Sequence, residues 1–278
     1  MVKSLKRLVM DALDEDIGQE DITTNRTVPA EGRCRARLLA KQNGVLSGIE
    51  VFRLVFDGIK ANVTEWDALS DGSSFRNGDE VAAFCGNTRA VLSAERTALN
   101  FVRHLSGIAT LTAQYVEAVR GLDVRICDTR KTTPLLRRLE KEAVVHGGGA
   151  NHRHDLFNGV VIKENHIMAA GGIEAAVRNA TSGVHHLMKI EVEVTNLEEF
   201  DQALRAGADA IMLDNMGLDD MRQAAGRAQG KNILLEASGN ARLDNVRAMA
   251  ATGVHVISVG ALTHSAPAAD LSLLIRSC

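Results

Sequence analysis

Aromatic residues make up only 3% of this 278-residue chain, with a single Trp and a single Tyr. That scarcity argues against a stacking platform for single-stranded nucleic acid. An excess of positive charge is missing too. Lys and Arg total 32 against 35 Asp and Glu, a formal net charge of -3, so no extended basic surface for a polyanion is expected. The four cysteines, Cys34, Cys85, Cys127 and Cys278, are far apart and form no C-x-x-C pair. They read as reduced packing thiols of a cytosolic protein. No apolar run approaches the ~20 residues of a membrane span. Asp11, Asp14, Glu15 and Asp16 interrupt the N-terminus where a signal core would lie. The expectation is a soluble, cytoplasmic protein with neither nucleic-acid nor membrane partners.

What the chain does have is ordinary globular material, 45% hydrophobic and 24% charged, enough for one large domain or two ordinary ones. Ser4 is placed to cap a first helix ending near Gly18, with Leu5, Leu8, Val9, Leu13 and Ile17 on one face. Residues 33–40 and 44–47 read as strands, 50–58 as a helix, and Asn77-Gly78-Asp79 as a turn before a strand at 80–85. A long helical region from about Thr88 to Arg120 is expected to break near Ser106-Gly107. This mixture has no repeating βα order, which makes it α+β.

After Gly121 short apolar runs alternate with helical segments. The runs are Val124–Cys127, Val160–Ile162, Met188–Val192, Ala210–Leu213, Ile233–Leu235 and His255–Ser258. The helices between them are expected at about 134–145, 172–182, 197–206, 217–228 and 242–252. Such alternation means parallel strands with crossover helices, open or closed into a barrel. For the first of these helices Thr133 is the expected N-cap, Pro134 the first residue and Gly147 the stop. Leu135, Leu136, Leu139 and Ala143 form its stripe, and Arg138 can pair with Glu142.

The polar residues gather where these strands end. Asp128-Thr129-Arg130-Lys131, Lys163-Glu164-Asn165-His166, Glu193, Asp214-Asn215, Glu236-Ala237-Ser238-Gly239 and Ser258-Val259-Gly260 each follow or close an apolar run. In βα architectures ligands sit at the C-terminal strand ends, so six segments aim at one mouth. Arg130, Lys131, His152, Arg153, His154, Lys163 and His166 fall within one forty-residue stretch. A local cationic cluster in a mildly acidic chain points to a pocket for a small anion. Arg130 and Arg153 can each grip a carboxylate, or else close structural ion pairs. Glu193 and Asp214 suit magnesium through water, ribose hydroxyls, or simple balance of the basic cluster. Gly239 and Gly260 precede helices and suit a phosphate; the other reading is left-handed turn geometry. His152-Arg153-His154 spells H-x-H, a weak metal signal beside a substrate-facing His152. Gly147-Gly148-Gly149 fits neither a Walker loop nor the dinucleotide glycine spacing.

At these residues a resemblance enters. D-T-R-K-T-T-P (128–134), G-G-G-A-N-H-R (147–153), I-K-E-N-H-I (162–167), E-V-E-V (191–194), L-D-N (213–215), E-A-S-G-N (236–240) and G-A-L-T-H-S (260–265) resemble the quinolinate phosphoribosyltransferases, the carboxylating nicotinate-nucleotide pyrophosphorylases. E-D-I-T-T (20–24), E-R-T-A-L-N (95–100) and S-G-I-A-T (106–110) extend the likeness over nearly the whole chain. Leu135, Glu142 and His154-Asp155 depart from the usual residues of that family, none at a position given a chemical role.

The resemblance implies an α/β protein: an N-terminal α/β sandwich domain, residues 1–105 completed by 266–278, and an incomplete α/β barrel, residues 106–265. It implies conversion of quinolinate and 5-phosphoribosyl 1-diphosphate to nicotinate mononucleotide, diphosphate and carbon dioxide in NAD biosynthesis, with Mg2+ as cofactor. It also implies a homodimer with an active site shared across the interface. Arg130, Arg153 and Lys163 would hold the two carboxylates, and Arg96 would reach them from the neighbouring subunit. Lys131 and His152 would lie around the substrates, with Lys131, Lys163, Glu193 and Asp214 as the catalytic set. Glu193 and Asp214 would face ribose and magnesium. Ser238, Gly239, Asn240 and Gly260 would hold the phosphate. Three rivals are a non-decarboxylating nicotinate phosphoribosyltransferase, which needs only one carboxylate site, a metal-dependent hydrolase built on H-x-H, and a non-catalytic phosphometabolite-binding relative.

Overall fold

The computed structural model describes residues 4–277. In chain order the first elements are α1 (Leu5–Ile17), α2 (Ile22–Thr27), β1 (Arg33–Ala40), β2 (Gly44–Val45), α3 (Ile49–Gly58), β3 (Thr64–Ala68), β4 (Ser74–Phe75), β5 (Glu80–Asn87) and α4 (Thr88–Ala118). Then come β6 (Arg125–Cys127), α5 (Arg137–His146), β7 (Val160–Ile162), α6 (Glu164–Ala170), α7 (Ile173–Gly183), β8 (Ile190–Val194), α8 (Leu197–Arg205), β9 (Ala210–Asp214) and α9 (Leu218–Ala228). β10 (Leu234–Ser238), α10 (Val246–Ala250), β11 (Val256–Ser258), α11 (Ala261–His264) and β12 (Leu271–Ser277) complete the chain. They form two compact units. One comprises the chain up to Leu111, Pro134–Gly148 and the segment from Ala266 onward; the other comprises Thr112–Thr133 and Gly149–Ser265.

The first unit is built on an antiparallel sheet in the order β12-β1-β5-β3. β1 alternates strictly: Cys34, Ala36, Leu38 and Ala40 are buried, while Arg33, Arg35 and Arg37 lie on the opposite face. Those three arginines meet cross-strand partners in Thr64, Glu65 and Glu80. Aromatics are scarce, but this unit concentrates them. Phe56 and Phe84 lie 4.8 Å apart and Trp66 and Phe84 5.6 Å apart. α1 follows the expected pattern, with Ser4 Oγ accepting from Arg7 N–H and Gly18 closing it at φ 59.

Two expectations of local structure fail here. α4 runs unbroken from Thr88 to Ala118. Ser106 Oγ accepts from Ser47 N–H (3.0 Å) and donates to Ser47 C=O (3.1 Å). Gly107 lets backbone pass close by, since a Cβ there would lie 2.1 Å from the Pro267 carbonyl oxygen. The serine and glycine are therefore packing residues within the helix. α5 starts at Arg137, after Leu136, and Thr133 does not cap it. Leu135 has φ 70 and is 71% exposed, so it leaves both the helix and its stripe; Leu139 and Ala143 are the buried members. Gly147 ends the helix as expected, and Arg138 Nε donates to Glu142 Oε1 at 2.9 Å.

The second unit is the incomplete α/β barrel: six parallel strands in the order β6-β11-β10-β9-β8-β7 with helices between them. β6 and β7 are the two ends of this sheet. Ala150 adds a single parallel bridge to Cys127 beside β6. Each of the six apolar runs became a strand, with bounds moved by a few residues. β8, β9 and β10 are buried on both faces along their middles, as a helix-covered parallel sheet requires. Cys34, Cys85 and Cys127 are all buried; Cys278 lies outside the described residues. Among the described residues no helix is long and apolar enough to cross a membrane.

Gly107→Ala should lower stability by roughly 1–3 kcal/mol, the usual penalty of overpacking, despite the better helix propensity of alanine. Urea unfolding of the variant against the parent measures it.

Candidate active site

Strand register assembles the rim. Asp214 pairs with Ser238, Ser238 with Ser258, and Ser258 with Cys127, the residue before Asp128. Glu193 pairs with Met212 on the neighbouring strand. The polar strand ends therefore meet around one cavity of about 630 Å³. Arg130, Lys131, His152, Arg153 and Lys163 line it, as do Glu193, Asp214, Ser238, Gly239 and Asn240. Two of the expected site residues are not among those that line it. Gly260 stands at the start of α11, where a Cβ would lie 3.2 Å from the Lys131 side chain. Arg96 is exposed on α4, in the first unit.

The wall grades from exposed cations to buried acids. Lys131 and Lys163 are exposed, and Arg130, Arg153, His152, Glu193 and Asp214 are half-buried. Asp128, Glu191, Glu236 and Ser258 are buried. Lys163 Nζ donates to Glu193 in an ion pair. Burial and then the nearby Arg130 guanidinium hold Arg153 below the usual arginine range, against the opposing pull of Glu191 and Asp155. Two guanidiniums close enough to repel concentrate positive charge that an anion would offset. Arg153 is aimed by its own bond to the Gly159 carbonyl (2.8 Å).

One end of the cavity is a tight turn lattice. Asn215, Gly239 and Asn240 take left-handed φ of 54, 84 and 50. Asn215 donates to Asp214 Oδ2 and accepts from Asn240 Nδ2, each at 3.0 Å. A Cβ on Gly239 would lie 2.2 Å from Asn215 Oδ1, so glycine is demanded there by both φ and space. α10 begins only at Val246 and α11 has four residues. The helix expected at 242–252 is thus shorter and later. Turn geometry rather than a helix dipole accounts for Gly239.

His152 faces inward. Its Nδ1 accepts from Arg153 N–H (2.8 Å), and its Nε2 lies 3.2 Å from Glu191 Oε2 and 3.6 Å from Glu236 Oε2. Its own N–H donates to Asp128 Oδ1 at 2.9 Å. His152, Glu191 and Glu236 are the one group with metal-ligand spacing among the described residues. His154, the other half of H-x-H, is exposed and off the cavity wall, and His166 Nδ1 accepts from Lys163 N–H. H-x-H is therefore not a ligand pair. Glu191 and Glu236 are the residues that sequence reasoning left without a role. Their signal was a lone acid inside an apolar strand run, I-E-V and L-L-E-A, which a buried parallel strand tolerates only with partners. Glu236 is pushed up to about 7, first by burial and then by the Glu191 charge.

Known proteins resemble the chain throughout. Family models for the N-terminal and C-terminal domains of quinolinate phosphoribosyl transferase match residues 21–106 and 108–274. A probable nicotinate-nucleotide pyrophosphorylase (carboxylating) of Bacillus subtilis is 41% identical, covering 97% of this chain and 92% of its own. A nicotinate-nucleotide pyrophosphorylase (carboxylating) of Mycobacterium leprae is 40% identical, covering 94% of each. The solved nicotinate-nucleotide pyrophosphorylase of Francisella tularensis superposes with a TM-score of 0.93 at 40% identity, over 98% of this chain and 96% of that one.

The Glu236 carboxyl titrates from an ordinary value of 4.5 unfolded to about 7 folded. The folded state holds that proton more tightly. The resulting stability is complete below about pH 4.5 and is lost as pH rises through about 7. Glu236→Gln, neutral at every pH, should therefore gain roughly 3 kcal/mol relative to the parent across that window. Urea unfolding of both proteins at about pH 5 and about pH 8 tests it.

Proposed function

The chain belongs to the quinolinate phosphoribosyltransferase family, and from that premise we propose how the residues of the barrel mouth divide the work. The enzyme is a pentosyltransferase of NAD biosynthesis. It converts quinolinate and 5-phosphoribosyl 1-diphosphate to nicotinate mononucleotide, diphosphate and carbon dioxide. The observation that carries the assignment of roles is that Arg130, Arg153 and Lys163 line the same cavity as Glu193 and Asp214.

Two adjacent carboxylates on a pyridine ring are strongly hydrated, and moving them into a cavity is costly without fixed cations. Arg130, Arg153 and Lys163 supply them, and Arg96 of a second subunit adds a fourth. The mutual repulsion of Arg130 and Arg153 is relieved when the diacid arrives. Ser238, Gly239, Asn240 and Gly260 hold the 5-phosphate with loop N–H groups and side chains. Glu193 and Asp214 face the ribose, where positive charge builds as the pyridine nitrogen attacks the anomeric carbon and diphosphate leaves. Lys131, exposed at the rim, meets the departing oxygens. The resulting pyridinium draws electrons from the 2-carboxylate bond, carbon dioxide departs, and the carbanion left behind takes a proton. The protein contributes orientation and charge at each stage.

Magnesium fits this donor set. Glu193 and Asp214 offer hard carboxylate oxygens on neighbouring strands, at a half-exposed rim where a small cation keeps part of its water. Bound there it neutralises diphosphate charge. The enzyme works as a cytoplasmic homodimer. Support comes from large apolar side chains on the barrel unit that await cover, with Phe157 and Met168 exposed by 76% and 75%.

Purified enzyme with quinolinate, phosphoribosyl diphosphate and magnesium should release carbon dioxide and nicotinate mononucleotide, and should stop when divalent cations are chelated. Arg130→Ala or Lys163→Ala should cost about 10²-fold or more in kcat/KM, the scale of losing one partner of a desolvated charge pair. Circular dichroism should be unaltered. Undiminished turnover in either variant would remove that residue from carboxylate binding.

A further inference from the structure

Beneath the cationic rim, His152, which also lines the cavity, is the hub of a hydrogen-bonded set. Its backbone N–H donates to the buried Asp128 at the end of β6. Its Nδ1 accepts from the backbone N–H of Arg153. Its Nε2 points at Glu191 of β8 and Glu236 of β10, both buried. The turn that carries Arg153 is thus tied to the end of β6 through the backbone of His152 and to β8 and β10 through its imidazole.

The protonation of that ring follows from geometry. A backbone N–H cannot give up its proton, so the nitrogen it donates to must present a lone pair. Nδ1 is therefore bare, and the single ring proton sits on Nε2, where Glu191 accepts it at 3.2 Å, with Glu236 just beyond at 3.6 Å. An imidazolium would set an Nδ1–H against the Arg153 N–H. His152 is consequently neutral and adds no positive charge to the cations of the mouth.

We infer that Glu191 and Glu236 are positioning residues: acting through the neutral imidazole of His152, they fix the turn that aims Arg153 at the quinolinate carboxylates. Glu191, the nearer acceptor, is the main anchor. Glu236 lies behind it, and its raised affinity for protons follows from burial beside the Glu191 charge. The aim of the arginine rests on quinolinate being the ligand, as proposed above. The ring arrangement does not depend on it.

Two measurements separate these parts. Nitrogen-15 spectra of the histidine-labelled wild-type enzyme, without substrate, should show His152 as a neutral ring protonated on Nε2 at both about pH 6 and about pH 8. A charged ring, an Nδ1–H ring or a metal-bound Nε2 would overturn the inference, whatever the substrate proves to be. In steady-state kinetics Glu191→Ala should raise the KM for quinolinate about 10-fold or more, while the KM for phosphoribosyl diphosphate stays within about twofold. Glu191→Gln keeps an acceptor oxygen for Nε2–H and should restore the quinolinate KM to near wild type. Equal rises for both substrates, or a glutamine variant as impaired as alanine, would overturn the positioning role. Should Glu191→Ala fail to fold, the glutamine variant and the wild-type spectrum still decide. Absence of any quinolinate turnover by the wild-type enzyme would sink the proposed function and leave the spectral result standing.

Discussion

Parallel hydrogen bonding sets Asp214 opposite Ser238 and Ser238 opposite Ser258, and the same ladder brings Glu193 to the next strand along. A slip of one residue in any of these pairings would turn the side chains of that strand to the other face of the sheet. The site therefore depends on register before it depends on any charge. Register is in turn held by the apolar middles of the strands, Val192, Ile211, Leu213, Leu235 and Ile257, all fully buried or nearly so. Burial of ordinary aliphatic side chains keeps unusual polar ones in place at the ends.

Depth then sorts the charges. Cations at the rim retain some water and can be offered to an incoming diacid. Acids at the floor have lost theirs and must bond to one another, to His152 or to backbone. Arg130 and Arg153 are held close although they repel, and Glu191 and Glu236 likewise. In the function proposed above the first pair is relieved by an anion, and in the inference drawn from His152 the second is relieved by its Nε2–H. The tight turn at Asn215, Gly239 and Asn240 adds three left-handed residues to the wall, with Asn215 hydrogen-bonded to both Asp214 and Asn240.

Much of this was legible from residues alone. All six strand runs of the barrel and the clustering of polar residues at their C-terminal ends followed from apolar alternation. Hydrophobic periodicity reports burial directly, and βα order leaves few topologies. The failures share a cause. The break expected at Ser106-Gly107 and the cap expected at Thr133 were local readings of residues whose roles are set by distant partners, Ser47 and Pro267 in one case and the left-handed Leu135 in the other. H-x-H, the weaker of the two readings of His152 in the sequence, is not a ligand pair: His152 faces inward while His154 is exposed.

Composition and pattern by themselves determined the class of fold and the gathering of polar residues at one mouth, because these depend on which residue types recur at which spacing; the family's reaction came from the resemblance of whole motifs. Only the tertiary structure decided that His152 faces down to Glu191 and Glu236, that Arg153 feels Arg130, and that Gly239 is crowded by Asn215. Each of those contacts joins residues from separate strand ends. Their energies depend on distance and dehydration, and neither exists until the strands are side by side.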